Sequence, residues 1–274
     1  VTTTNSTIQL LNPSAQRGNF HSAVFDFDGT LSLIREGWQA IMLPYFVEVL
    51  QACPNAEGKE EIERVVVDFV DKLTGKQTIY QCFQLQEEVK ARGGDPLEAL
   101  EYKHEYLRRL QERIQHRLDG LAAGEIDPDS LLLLGSRDFL QALKDRGVTL
   151  YLASGTDLPY VLAEAKALKV DHFFGEHIYA ALDEYKNFSK QMIIDKILRD
   201  NDLHGPELLA VGDGYVEIQN AKGVGGFALG VASDEDCPGG IDDWKVSRLT
   251  EANADAIVRD FEPVEELMAF LFPE

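Results

Sequence analysis

The sequence predicts an α/β protein, a doubly wound Rossmann-like parallel sheet carrying an inserted all-helical unit. Two observations predict it. From Gly135 onward, short β-rich runs alternate with amphipathic stretches of helical period, the pattern of a parallel sheet covered on both faces. One further strand-like run, His21 to Thr30, stands ahead of these and is separated from them by a long block of purely helical pattern. The expected division is a tail or linker over 1–19, a core over 20–34 and 131–274, and a helical cap over 35–130.

Residues 1–19 show no sustained periodicity and read as a loose tail or linker. His21 to Thr30 reads as a strand running into a turn. Apolar residues then recur at 38, 41, 42, 45, 46, 49, 50 and 53, and again at 62, 65, 66, 69, 70 and 73, which is helical spacing. Pro44 falls inside the first series and predicts a kink or a helix start. Thr74 to Thr78 reads as a helix–helix connection, followed by helices near 79–91 and 97–119. A helix over 136–146 precedes a strand at 148–153 that ends in Ser154-Gly-Thr156. A helix at 157–168, a strand at 177–182 and a helix at 189–200 come next. The strand 207–211 runs into Gly212-Asp-Gly214, with a helix at 215–222 and a last strand at 227–232.

Composition excludes several function classes. The formal net charge is −21, which argues against nucleic acid or an anionic membrane surface as partner, since both require basic faces. No apolar run approaches the length of a membrane span. The three cysteines, Cys53, Cys82 and Cys237, form no CxxC, so neither a disulfide framework nor a zinc site is expected, and a reducing cytoplasmic setting is. The chain begins with Val1, as a processed chain or a piece of a longer polypeptide would.

Acidic residues gather where strands end. Alternation along Val24-Phe-Asp-Phe-Asp28 points Asp26 and Asp28 to one side, about 7 Å apart by the rise of a strand. Asp213 follows the strand 207–211, and Glu217 lies four residues on, at the start of a helix. Ligands of open α/β sheets collect beyond the carboxyl ends of the strands. Asp26, Asp28, Asp213 and Glu217 are therefore expected to converge on one cation, and an oxygen-only donor set selects Mg²⁺ over zinc. Taken singly, each acid also reads as a solvated carboxylate or a helix cap, and only the combination is specific.

Asp26-Phe-Asp-Gly-Thr-Leu31, Leu152-Ala-Ser-Gly-Thr156, a following lysine and Val211-Gly-Asp-Gly-Tyr-Val-Glu-Ile218 together resemble the four-motif set of the haloacid dehalogenase superfamily. The resemblance spans about residues 22–235, and the helical block resembles that superfamily's C1-type cap. The most similar branches are the phosphoglycolate and phosphoserine phosphatase groups. The resemblance implies that Asp26 is a nucleophile forming an aspartyl phosphate. It further implies that Asp28 protonates the leaving oxygen and later deprotonates water, and that Ser154 and Gly155 hold phosphoryl oxygens. Asp213, the Asp26 carboxylate and the Asp28 carbonyl would bind Mg²⁺, with Glu217 reaching it through a water. The motif lysine is Lys190 or Lys186, with Lys190 favoured by its place at a helix start. Gly29 and Thr30 belong to the expected phosphate cradle, Gly29 by letting the chain turn beneath the phosphate. An acid at position 28 implies a phosphatase or phosphomutase rather than a dehalogenase or phosphonatase.

The chemistry agrees with these roles. A carboxylate approaching a phosphate at about 3.5 Å meets roughly 5 kcal/mol of repulsion at an effective dielectric of about 20, which a metal and a lysine would offset. In the cap, Arg35 and Glu36 stand where the chain leaves the core, and Lys76 and Gln77 at a cap turn, so these four are candidate substrate contacts. Trp38, Tyr45 and Phe46 read as cap core. The expected function is Mg²⁺-dependent hydrolysis of a small phosphorylated metabolite. The alternatives are a phosphomutase of the β-phosphoglucomutase kind and a non-catalytic domain of a larger protein.

Overall fold

The computed structural model describes residues 8–182, 189–234, 237 and 239–273. Its centre is a seven-stranded sheet with the spatial order β1-β7-β6-β5-β2-β3-β4. The strands are β1 (Ile8–Leu10), β2 (Ser22–Phe25), β3 (Thr149–Asp157), β4 (Ile178–Ala181), β5 (Leu208–Gly212), β6 (Phe227–Val231) and β7 (Ala256–Val258). All neighbours pair in parallel except β1, which runs antiparallel to β7. The register sets Phe25 beside both Leu152 and Val211, so β2 and β5 end within a residue of one another while β3 runs on to Asp157.

Both faces of the sheet are buried, and alternate residues serve different cores. Phe25, Leu152 and Val211 join one apolar cluster with Phe139 and Leu143 of α5 (Ser136–Asp145). Val24, Tyr151 and Ala210 join the other, with Ile194 of α8 (Lys190–Asp200) and Ile218 of α9 (Tyr215–Gly223). The doubly wound α/β class read from the sequence is therefore the observed one.

Between β2 and β3 the chain forms α1 (Gln39–Gln51), α2 (Lys59–Leu73), α3 (Thr78–Ala91) and α4 (Ala99–Ala123). Their apolar stripes meet around Phe46, Ile62, Phe69, Leu85 and Ile114, with Phe46 stacked on Phe69 at 5.8 Å. Pro44 lies inside α1, five residues after its start, so it does not begin the helix. The segments leading into and out of this insert run side by side. Leu33 donates to the Leu131 carbonyl and Leu133 to that of Leu31, each at 2.9 Å.

The N-terminal region departs from the sequence reading. Ile8–Leu10 is an edge strand on β7, and Asn12 anchors the next turn by donating to Asp255 at 2.7 Å. Three residues on an exposed edge carry too little alternation to register as a strand. Past residue 232 the sequence reading also omits β7, α10 (Asp243–Glu251) and α11 (Val264–Leu271); α6 (Leu158–Ala167) is the helix expected at 157–168 and α7 (Asp171–Phe174) a single turn after it. Among the described residues, no helix is long and apolar enough to cross a membrane.

Candidate active site

The carboxyl ends of β2, β5 and β3 frame a cleft of about 130 Å³ beneath the helical insert. Asp26 is the first residue past β2, and its amide continues the ladder by donating to the Val211 carbonyl at 2.9 Å. One carboxylate oxygen accepts from the Phe27 amide at 2.8 Å, and the other meets Lys190 Nζ at 2.6 Å. Lys190 is the first residue of α8, where Ser189 caps the helix, and its ammonium also reaches Glu217 Oε2 at 2.9 Å. Glu217 Oε1 accepts from the Gly214 amide at 2.6 Å. Both oxygens of this buried glutamate are thus held by the chain itself. Gly212 makes room for it: a Cβ there would lie 2.3 Å from the Glu217 side chain.

Asp26, Asp213 and Glu217 each offer an oxygen within 4.8 Å of the others, a group able to hold a metal ion. Asp213 is oriented by Thr30, whose hydroxyl accepts from the Asp213 amide at 3.0 Å and donates to Oδ1 at 3.2 Å. Lys245 of α10 stands 3.2 Å from Oδ2. Burial, reinforced by Glu217 and Asp213, raises the Asp26 pKa against the pull of Lys190. Burial opposes the charge on Lys190, but Asp26 and Glu217 outweigh it and raise its pKa.

Asp28 does not join this cluster, contrary to the expected convergence of four carboxylates. β2 ends at Phe25, so residues 26–28 already turn and strand alternation no longer governs them. Asp28 Oδ2 instead accepts from Thr156 Oγ1 at 2.8 Å and from Ser154 Oγ at 3.4 Å, while Oδ1 is buried without a hydrogen-bond partner. Ser154 is fully buried and also accepts from the Thr156 amide at 3.0 Å. Gly155 and Thr156 line the cleft. Thr156 went unassigned in the sequence, although it lies two residues after Ser154 in the quoted motif.

Two members of the expected phosphate cradle do other work. The Gly29 amide donates to the Ser32 carbonyl at 3.0 Å, and its φ of 74° makes the turn. Thr30 is buried and committed to Asp213. Of the candidate substrate contacts, Arg35 and Lys76 line the cleft. Glu36 does not: it faces Arg117 of α4 at 3.6 Å. Gln77 is buried beside the cleft, and Thr78 and Gln81 occupy the wall in its stead. Trp38 lines the cleft rather than packing only within the insert, whereas Tyr45 and Phe46 are buried in the insert core. Lys186 lies outside the described residues.

Several solved structures share this architecture. A chain from Haemophilus somnus 129PT, described as a predicted phosphoglycolate phosphatase, superposes with a TM-score of 0.58 at 18% identity, covering 91% of this chain and 98% of its own. A chain from Clostridium acetobutylicum, described as a predicted phosphatase, gives 0.59 at 15% identity, covering 93% and 100%. A chain from Thermotoga maritima, provisionally assigned as a β-phosphoglucomutase, gives 0.51 at 18%, covering 92% and 98%. No curated protein sequence matches the chain. The family model for haloacid dehalogenase-like hydrolases matches residues 21–225, three-quarters of the sequence and all of the elements that build the cleft, and the chain belongs to that family.

Proposed function

We propose that the protein is a Mg²⁺-dependent phosphatase of small phosphomonoesters, working through an aspartyl phosphate at Asp26. The observation that carries this reading is the pairing of Asp26 with Lys190 at 2.6 Å inside a cluster of carboxylates, with a second acid, Asp28, held separately by Thr156. The donor set fits a hard divalent cation, since it contains oxygens and no sulfur or imidazole. Asp26 and Asp213 would hold the ion, and Glu217 would reach it through a water. When bound, the ion would offset the repulsion between carboxylate and phosphate.

The chain's own groups account for the remaining steps. An Asp26 oxygen attacks phosphorus while the ester P–O bond breaks, and Lys190 stabilises the charge on the phosphoryl oxygens. Asp28 gives its proton to the departing oxygen. Asp28 then takes a proton from the water that attacks the aspartyl phosphate, releasing inorganic phosphate and restoring Asp26. The Gly155 amide, on the cleft wall, is a donor for a phosphoryl oxygen. The small cleft beneath the insert suits a metabolite rather than a macromolecule, and enclosure keeps bulk water from the transfer.

Phosphate release from a panel of sugar phosphates, phosphoglycolate, phosphoserine and nucleotides tests the reading. Activity is expected to vanish on exhaustive chelation, to return with Mg²⁺, and to be lost in Asp26→Asn. Full activity of that variant, or of the chelated enzyme, refutes it. A phosphomutase would use the same residues but return isomerised substrate without releasing phosphate.

A further inference from the structure

Arg35 makes more of the cleft than an ion pair requires. It follows β2 on the way into the insert and is 5% exposed, yet it lines the cleft beside Asp28 and Tyr106. Its Nε and Nη2 are committed to the buried Glu164 of α6, Nε at 3.1 Å to each oxygen and Nη2 at 2.6 Å. The third nitrogen, Nη1, has no hydrogen bond among the described residues, and it is not among the sealed side-chain atoms that lack one. It therefore keeps some exposed surface, and the cleft is the cavity that Arg35 lines. Asp28 Oδ1, 3.8 Å from Arg35 Nε, is sealed and has no hydrogen-bond partner. A donor and an oxygen with unmade bonds thus belong to adjoining side chains at the same part of the site. Buried polar groups are ordinarily paired, so this spot is built for polar atoms that the chain does not supply.

We propose that Arg35 is a specificity-determining residue, with Nη1 donating to an uncharged oxygen, a hydroxyl or carbonyl, on the carbon next to the ester carbon of the substrate. The proposal rests on the phosphatase reading and deepens it. Position follows from Asp28: that residue meets the ester oxygen, and Arg35 adjoins Asp28, so Arg35 reads atoms one or two bonds further along. The uncharged class follows from the local charge balance. Glu164 already matches the guanidinium at 2.6 Å, so Arg35 has no unmatched positive charge to offer a substrate carboxylate. Arginine suits the task because its planar fork serves Glu164 with two nitrogens and leaves a third for the ligand.

The test compares kcat/KM for 2-hydroxyethyl phosphate, ethyl phosphate and phosphoglycolate, by phosphate release, in the wild type and in Arg35→Lys. The wild type is expected to prefer 2-hydroxyethyl phosphate over ethyl phosphate by about tenfold or more, the value of one hydrogen bond to a charged group, and also over phosphoglycolate. In Arg35→Lys the first ratio should fall to within about twofold of unity, since a single ammonium held at Glu164 places no nitrogen where Nη1 stands. A purely structural role for Arg35 would lower both rates together and leave the ratio unchanged. A wild-type ratio near unity, a preference for the carboxylate, or an unchanged ratio in the variant overturns the proposal. Should the variant fail to fold by circular dichroism, the wild-type ratios decide alone. Equal hydrolysis of the ethyl and hydroxyethyl esters sinks only this inference. No release from these or from the wider panel sinks the phosphatase reading and this inference with it.

Discussion

Replacing Lys190 with methionine should expose how much of the site's order depends on one ammonium. Its Nζ stands 2.6 Å from Asp26 and 2.9 Å from Glu217. At an effective dielectric of about 20, each contact carries roughly 6 kcal/mol of Coulomb attraction before desolvation is counted. The three clustered carboxylates have oxygens within 4.8 Å of one another, where each charged pair repels by at least about 3 kcal/mol. Methionine relieves the cost of burying the lysine but leaves that repulsion to be met by proton uptake, since burial already raises the Asp26 pKa to about 8. Removal of one partner from a buried pair costs about 3–5 kcal/mol net, and for a chain of this size that lowers Tm by about 10 °C. Urea unfolding of wild type and Lys190→Met in EDTA measures the difference. Repeating it with Mg²⁺ tests the metal assignment, because a bound cation would take over the neutralising role. Ligand at about a hundred times its Kd contributes about 2.7 kcal/mol, and the gain should be larger in the variant than in the wild type. Equal stability of the two proteins in EDTA, or a larger Mg²⁺ effect on the wild type, would refute the reasoning.

Three further outcomes are expected. Thr156→Val removes the 2.8 Å bond to Asp28 and leaves only the longer Ser154 contact, so kcat should fall about tenfold to a hundredfold with little change in KM, measured by phosphate release. The fully buried Cys82 thiol, pushed up to about 12 by burial, should resist a thiol reagent at neutral pH until the protein unfolds, whereas the exposed Cys237 reacts at once; a fast Cys82 would contradict its packing. Hydrogen bonds from Arg108 and Arg109 hold Glu105 down at about 2, against an ordinary 4.5. Its contribution is therefore present above pH 4.5 and lost as pH falls toward 2. Because the pair is largely solvated, Glu105→Gln should cost less than about 1 kcal/mol at pH 7, and the deficit should shrink in acid; a constant deficit would count against the pairing.

The residues legible in the sequence are those whose position depends on local geometry. Asp26 and Asp213 stand just past short apolar strands, and register alone brings those strands' ends together. Lys190 begins a helix after a capping serine, which aims it at the sheet. Legibility ends where a side chain's direction depends on distant partners. Asp28 swings toward Thr156, which comes from another strand. Glu36 is drawn off by Arg117, whose Nη1 also gathers the carbonyls of Leu33, Ile34 and Glu36. Thr30 is spent on Asp213, 183 residues away. The edge strand β1 exists only because β7 offers it a partner, and Lys245 reaches Asp213 from a helix that carries no motif.

At the strand ends the insert also approaches the core backbone to backbone. A Cβ at Gly155 would lie 3.2 Å from the Lys76 carbonyl, and one at Gly214 would lie 3.4 Å from Gly75 Cα. Gly75 itself has a φ of +92°, a conformation costly for other residues. Nearby, the last carbonyls of α2 are held from the core: Tyr215 donates to that of Lys72 at 3.0 Å and Arg248 to that of Asp71 at 2.6 Å. The loop 74–78 is therefore pinned directly over the strand ends that carry Asp26 and Asp213. Lys76 and Thr78 line the cleft, and a Cβ at Gly155 would meet the backbone of Lys76 and Gln77 before any side chain. The spacing of these two backbones sets the shape of this part of the cleft. A side chain introduced at Gly155 would press on the backbone of Lys76 and alter the shape of the cleft, whereas one at Gly214 would press on Glu217, 2.9 Å from its Cβ, and so on the partner of Lys190.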